Sequence, residues 1–320
     1  LKKISNYSYM NKARLEGKKI VCLGGGNAMP KAVLAGLKKF PVKISVICAM
    51  LDTGGSAGRL RKDYGIVSPG DIRRAFIALA NTSPAVGELF NYRFDDGELA
   101  GHNFANLLIT ALELSSKNYK ATLKELNRLL NINPNHKVLP ATLDKAELCA
   151  ELDNGEIIRG ETNIDIPKHD AKHSIKKIFL EPEAKAYGAA LHEIKDADAI
   201  IIGPGDLYSS LAQILLVKGM ARAICKSRAQ KIYICNLHTK HGETDHYSVE
   251  DFTGKIEEFL GCPVDKVIFS LQTKTIRRKI QSVELKGKPN GKFVGAAVSS
   301  SENPEEHDPV KLSKIILSII

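Results

Sequence analysis

Apolar and polar positions alternate along this chain in short blocks. Lys18–Leu23 (KKIVCL) is an apolar, β-branched run too short for a helix, which predicts a buried strand. It ends in Gly24-Gly25-Gly26. The following MPKAVLAGLKKF places Val33, Leu34 and Leu37 on one helical face, and Lys43–Leu51 (KISVICAML) predicts a second buried strand. Strand, glycine turn, helix, strand is a βαβ unit, which implies a parallel sheet. The theme recurs later. Ala197–Ile202 runs into Gly203-Pro204-Gly205 and a long helical stretch, LYSSLAQILLVKGMARAICKS. Lys231–Leu237 predicts a strand, Val249–Leu260 a helix and Lys266–Leu271 a strand.

The middle of the chain reads differently. Asp71–Ala80, Asn103–Leu114 and Lys120–Leu130 are consecutive helical patterns with little strand signal. Glu147–Leu152, then Asp153-Asn154-Gly155, then Glu156–Gly160 predicts a hairpin closed by an Asn-Gly turn. The tail KLSKIILSII sets Leu312, Ile315, Ile316 and Ile319 on one face, as in a packed terminal helix. The expected fold class is therefore α/β: a Rossmann-like, doubly wound, mainly parallel sheet with a helical insertion and a small β-rich flap. The expected division is an N-terminal extension over 1–17 and one domain over 18–320. Its core would be 18–80 and 175–320, with the insertion at 81–137 and the flap at 138–174.

Composition narrows the function classes. The chain has 320 residues, of which 43% are hydrophobic, so it is globular and long enough for a substantial core. The formal net charge is +10, but the excess sits in residues 1–20 and 271–292 and the rest is near neutral. A whole-surface field for nucleic acid is therefore not expected. No apolar run approaches the ~18 residues of a membrane span. The six cysteines make no C-x-x-C pair and read as small buried thiols in a reducing compartment. The N-terminus shows no apolar signal core, so the expected location is cytoplasmic.

The candidate chemistry lies in the glycine turns. Gly24, Gly25, Gly26 and Asn27, between a strand and a helix, suit an anion: glycine permits close backbone approach, and the helix start offers free N–H groups. The second strand ends in Asp52, followed by Gly54, Gly55, Ser56 and Arg59. Asp52 could hold Mg²⁺ or a ribose hydroxyl, and Arg59 and Arg61 could clamp phosphate. Asp71 would cap the first insertion helix. His102 and Asn106 would share a face if the next helix begins at His102, with Asn103 between them. Gly203 and Gly205, with Tyr208, Ser209 and Ser210, form a third glycine loop at a helix start. Asn236 ends a strand. His238, His241 and His246 with Glu243 and Asp245 lack the regular spacing of zinc ligands.

Taken in order, Gly24-Gly25-Gly26, Asp52 with Gly54–Arg61, Pro69-Gly70-Asp71-Ile72-Arg73, Gly101-His102-Asn103, Gly203-Pro204-Gly205 with Leu207-Tyr208-Ser209, and Cys235-Asn236-Leu237 with Gly242–Asp245 resemble one superfamily. It holds the gluconeogenesis factors (YvcK-like) and the 2-phospho-L-lactate transferases (CofD-like). Leu139–Leu143, Glu147–Leu152, Glu161–Ile164 and Ile178–Pro182 resemble the gluconeogenesis-factor branch. That likeness implies a protein binding a nucleotide sugar or nucleoside diphosphate, of the UDP-sugar type such as UDP-GlcNAc. It also implies a role in carbon metabolism and cell-wall or cell-shape regulation, and a homodimer. The transferase branch implies an enzyme moving a phospho-acid from a nucleotide-activated donor to a deazaflavin acceptor, with Mg²⁺ at Asp52. Departures from the superfamily pattern are Asn27-Ala28 for Thr-Gly, Thr53 for an acid or amide, Ala105 for Gly and Lys240-His241 for Gln-Pro. Loss of the acid at Thr53, and the β flap, favour the regulator over the transferase.

Overall fold

The computed structural model describes residues 12–116, 118–166, 172–272, 281–288 and 290–320. The basic segment at 1–11, most of the N-terminal extension, and residues 273–280 of the second basic segment lie outside them. The strands are β1 (Lys19–Gly24), β2 (Lys43–Cys48), β3 (His136–Pro140), β4 (Glu147–Leu152), β5 (Ile157–Arg159), β6 (Ile175–Glu181), β7 (Ala199–Ile202), β8 (Gln230–Ile234), β9 (Lys266–Ser270) and β10 (Phe293–Ala296). Seven form one sheet in the order β10-β9-β8-β7-β1-β2-β3. Every pairing in it is parallel. β5-β4-β6 make a small antiparallel sheet.

The main sheet is covered on both faces. In β1, Ile20 and Cys22 pack into one core while Val21 and Leu23 pack into the other. A strand buried on both sides reads as continuous apolar sequence, which is why KIVCL carries no alternation. The first face holds the helix Gly70–Leu79, the insertion helices Phe104–Ser116 and Tyr119–Leu129, and the terminal helix Pro309–Ile319. Leu312 and Ile316 of the last are fully buried, as its apolar face predicts. The second face holds Gly188–Lys195, Met220–Lys226 and Val249–Leu260, together with the small sheet.

Several expectations are corrected. Residues 138–140 are part of β3, an edge strand hydrogen-bonded to β2, not of a flap. Conversely, Ile175–Glu181 pairs with β4 in the small sheet and not with the main one. Local pattern gives a strand but not its partner. The long helix expected after Gly205 is broken, because Gly219 takes φ +97° and starts a separate helix at Met220. Not all cysteines are free: Cys225 and Cys262 form a disulfide, whereas Cys22, Cys48, Cys149 and Cys235 are buried thiols. A helix and the turn after another helix bring that pair together, which spacing along the chain does not reveal. Among the described residues, no helix is long and apolar enough to cross a membrane.

β1 is the centre of the arrangement. Its neighbours are β2 on one side and β7 on the other; β1 connects onward to β2 and β7 onward to β8, so the connections from this adjacent pair leave in opposite directions at their C-terminal ends. Such a reversal opens a crevice beyond the strand ends.

Candidate functional site

A cavity of about 630 Å³ occupies that crevice. All three glycine loops reach it, with the helix starts that follow them. Two of those helices begin as wide π-turns, Met29–Leu34 and Leu207–Ala212. In the second, the Leu211 N–H donates to the Asp206 carbonyl five residues back, at 2.9 Å. π-turns of this kind are frequent at functional sites.

Of the residues singled out in the sequence, Gly25, Gly26, Asn27, Asp52, Gly54, Gly55, Ser56, Asp71, Asn106, Gly205 and Asn236 line the cavity. Gly24, Arg59, His102, Asn103, Gly203, Tyr208 and Ser209 are outside that lining. Gly24 is the last residue of β1, and Gly203 follows β7. Arg59 donates to the Ala100 carbonyl at 2.9 Å. Arg61 donates to the Leu51 carbonyl at 3.1 Å and to that of Ala146, so it braces backbone and does not face an anion. Asn103 precedes the helix Phe104–Ser116. Its side-chain oxygen accepts the Asn106 N–H at 3.1 Å, and its amide group donates to the carbonyls of Phe90 and Tyr92. The helix thus begins after His102, and the expected His102–Asn106 face does not form. His102 instead sits 3.2 Å from Ser56 Oγ, which also accepts the Asn103 N–H. Tyr208 meets Tyr247 hydroxyl to hydroxyl at 3.0 Å, and Ser209 donates to Asp165 at 2.9 Å.

Asp71 does something other than cap its own helix. Its Oδ1 accepts the Gly26 N–H at 2.9 Å and the Arg74 guanidinium at 2.6 Å. Burial raises its pKa, against the pull of Arg74. Gly26 has φ +61°, and a Cβ on Gly25 would collide with Asp71 Oδ2, so both glycines are needed for this contact. Thr53 also has a local role. Its hydroxyl accepts the Thr162 N–H at 3.0 Å and meets the Thr162 hydroxyl at 3.1 Å, docking the short helix Glu161–Asp165 beside the second glycine loop.

The rest of the wall has no role assigned from the sequence, although Arg73 and Glu161 fall inside the Pro69–Arg73 and Glu161–Ile164 motifs. Arg73, Arg74, Arg93, Glu161, Asp165, Asp206, Glu305 and His307 all line the cavity. Burial, then Asp52, Asp165 and Asp71, push Glu161 up to about 8. Burial pushes His307 down to about 4. Burial, with Arg74 and Arg93 beside it, lowers Arg73 to about 10. Lys240, at a position where the superfamily usually has Gln, gathers Asp165 at 2.6 Å, Glu243 at 2.8 Å and Asp206 at 3.3 Å. Asp206 adjoins the third glycine loop and Arg74 adjoins the Asp71 motif, so position could have flagged them. Arg93 and His307 carry no local signal at all.

A family model described as 2-phospho-L-lactate transferase CofD matches residues 20–308. The chain belongs to this family. Within the CofD family it is similar to gluconeogenesis factors. One from Halalkalibacterium halodurans is 36% identical over 318 residues, covering 95% of this chain and 97% of the relative. One from Bacillus subtilis is 39% identical over 246 residues, covering 76% of this chain and 75% of the relative. A longer relative from Clostridium acetobutylicum, 39% identical over 264 residues and 82% of this chain, is matched over only 58% of its own length. An X-ray crystal structure of a Bacillus halodurans protein superposes with TM-score 0.87 at 34% identity, over 94% of this chain and 100% of that one. CofD membership points to a nucleotide-type ligand.

Mg²⁺ is the metal the CofD resemblance implies. Among the described residues no group of three or more His, Cys, Asp or Glu could hold a metal ion. Mg²⁺ needs fewer protein ligands, because it often binds through one or two carboxylates plus substrate phosphates. Asp52 fits that role in kind. One of its oxygens accepts the Gly54 N–H at 2.8 Å, and its charge raises the pKa of both Asp71 and Glu161, as expected where a counter-cation is wanted.

Proposed function

We propose that this chain binds a nucleoside diphosphate of the UDP-sugar type in the cavity at the end of β1, as a ligand-responsive regulator of carbon and cell-wall metabolism. The observation that carries the reading is the convergence of three glycine loops on one cavity at the sheet's switch point. The N–H groups at the starts of the following helices suit phosphate oxygens. The likeness to gluconeogenesis factors supports the regulatory role.

A transferase of the phospholactate type is the second reading, favoured by Asp52 beside the diphosphate position. There Asp52 would hold Mg²⁺, whose charge would offset that of the donor diphosphate; an acceptor hydroxyl, losing its proton, would attack the phosphorus of the phospho-acid as its bond to the bridging oxygen breaks and the nucleoside monophosphate leaves with that oxygen.

Calorimetry tests both readings. UDP-N-acetylglucosamine and UDP should bind with and without Mg²⁺, and the nucleotide sugar should be recovered intact. Turnover would select the transferase reading, and a folded protein that binds neither ligand would sink the nucleotide proposal.

A further inference from the structure

The helix Gly70–Leu79 carries Arg73 and Arg74 to the cavity wall, and Arg93 reaches it from the segment before the helix Phe104–Ser116. Two of the three guanidiniums are engaged. Arg74 pairs with Asp71 at 2.6 Å, and Arg93 donates to the Gly101 carbonyl. Arg73 is 9% exposed, and its side chain makes no hydrogen bond or ion pair among the described residues; its Nε is buried without a partner.

That is costly. A cationic group taken largely out of water without a paired acceptor loses hydration that nothing replaces. Arginine cannot escape by losing its proton. The nearby carboxylates do not pair with it directly: Asp71 accepts Arg74 and the Gly26 N–H, and Asp52 accepts the Gly54 N–H. Arg93 offsets nothing, since it has the same sign and its backbone partner is neutral. Asp71 and Asp52 act on Arg73 through space, but among the described residues no carboxylate pairs with its guanidinium, which leaves the fork open to a ligand in the cavity.

We propose that Arg73 and Arg93 form an oxyanion subsite that takes a phosphoryl group, separate from the N–H groups of the glycine loops. The guanidinium fork matches a phosphoryl face bidentately. Arg74, tied to Asp71, sets the edge of the subsite. Two sources can supply the group: the terminal phosphate of a nucleotide, or a phosphate on a second molecule in the same cavity. The subsite does not depend on the base being uracil or on a nucleotide being the ligand.

The test is calorimetry at low salt on wild type, Arg73→Gln, Arg93→Gln and Arg73→Lys, titrated with inorganic phosphate, pyrophosphate, UDP and uridine. Phosphate and pyrophosphate should bind wild type, and both Gln variants should lose about tenfold or more in affinity, with Arg73→Lys intermediate because it keeps the charge but not the fork. Without ligand, Arg73→Gln should melt at or above the wild-type temperature, since it deletes an unpaired buried charge. A sharply lower melting temperature would make Arg73 a structural brace and overturn the proposal. So would phosphate binding unchanged in the Gln variants, or absent in wild type at about 10 mM phosphate. If UDP weakens in parallel with phosphate, the subsite holds the nucleotide's own phosphate. If only phosphate weakens, it serves a second molecule. Phosphate binding without UDP binding keeps the subsite and removes the nucleotide reading.

Discussion

The Gly26 N–H donates to Asp71 Oδ1 at 2.9 Å, across 45 residues of sequence. The first glycine loop therefore already holds an anion, one belonging to its own chain. A phosphate arriving at that loop meets a carboxylate in the position of its oxygen. Asp71→Asn keeps an acceptor for Gly26 but removes the charge. Its affinity for pyrophosphate should rise about three- to tenfold, while weakening of the Arg74 contact should lower unfolding free energy by about 1–3 kcal/mol. Calorimetry and urea unfolding check the two effects. A drop in affinity would mean that the carboxylate assists binding through a shared cation.

Gly25→Ala puts a methyl group against Asp71 Oδ2 and within 3.1 Å of the Ala49 Cβ. It should cost about 1–3 kcal/mol of stability, as overpacking does, and abolish ligand binding. Gly36→Ala is the matched control. Its methyl would strike the Pro309 carbonyl under the terminal helix, away from the cavity. It should destabilise as much and leave affinity unchanged in the folded fraction.

Two cavity groups give opposite pH dependence. Glu161 rises from 4.5 to about 8 in the fold, so the folded state keeps a proton that the unfolded chain releases. Its contribution to stability is full below pH 4.5 and is lost as pH climbs to about 8. His307 falls from 6.5 to about 4, so its contribution is full above pH 6.5 and is lost as pH drops toward 4. In urea unfolding at stepped pH, Glu161→Gln should gain stability over wild type progressively through the first window. A constant difference across pH would show that Glu161 is not buried in a charge-poor, acid-flanked position.

The Cys225–Cys262 disulfide joins the helix Met220–Lys226 to the turn after Val249–Leu260, spanning 37 residues of sequence. Closing a loop of that size stabilises by about 3–4 kcal/mol in the chain-entropy account. Dithiothreitol should lower the melting temperature of wild type and leave that of Cys262→Ser unchanged. Equal responses would place the two cysteines as thiols.

The scaffold was legible and half the wall was not. KIVCL, KISVIC and ADAIII announce their strands because both faces of the sheet are buried. The glycine loops announce themselves because few other residues permit that backbone. Asp71 stands in a superfamily motif as a candidate ligand residue and helix cap, but its tie to Gly26 is not legible because Gly26 lies on another element. Arg93 sits in an irregular segment with no periodicity to mark it. His307 is brought to the cavity by the returning C-terminal chain. Such residues are defined by tertiary approach, and no window of local sequence contains it. The disulfide escaped for the same reason, as did the pairing of β3 with β2.

The cavity wall draws on widely separated parts of the chain, from Gly25 and Asp52 through Arg93 and Glu161 to Gly205 and His307. The wall is complete only when segments far apart in sequence are assembled around the ends of β1 and β7. A bound ligand would then act as a rivet between sequence-distant halves, resisting local opening on either side of β1. Limited proteolysis should register that as simultaneous protection of the N-terminal and C-terminal loops, rather than of one flap.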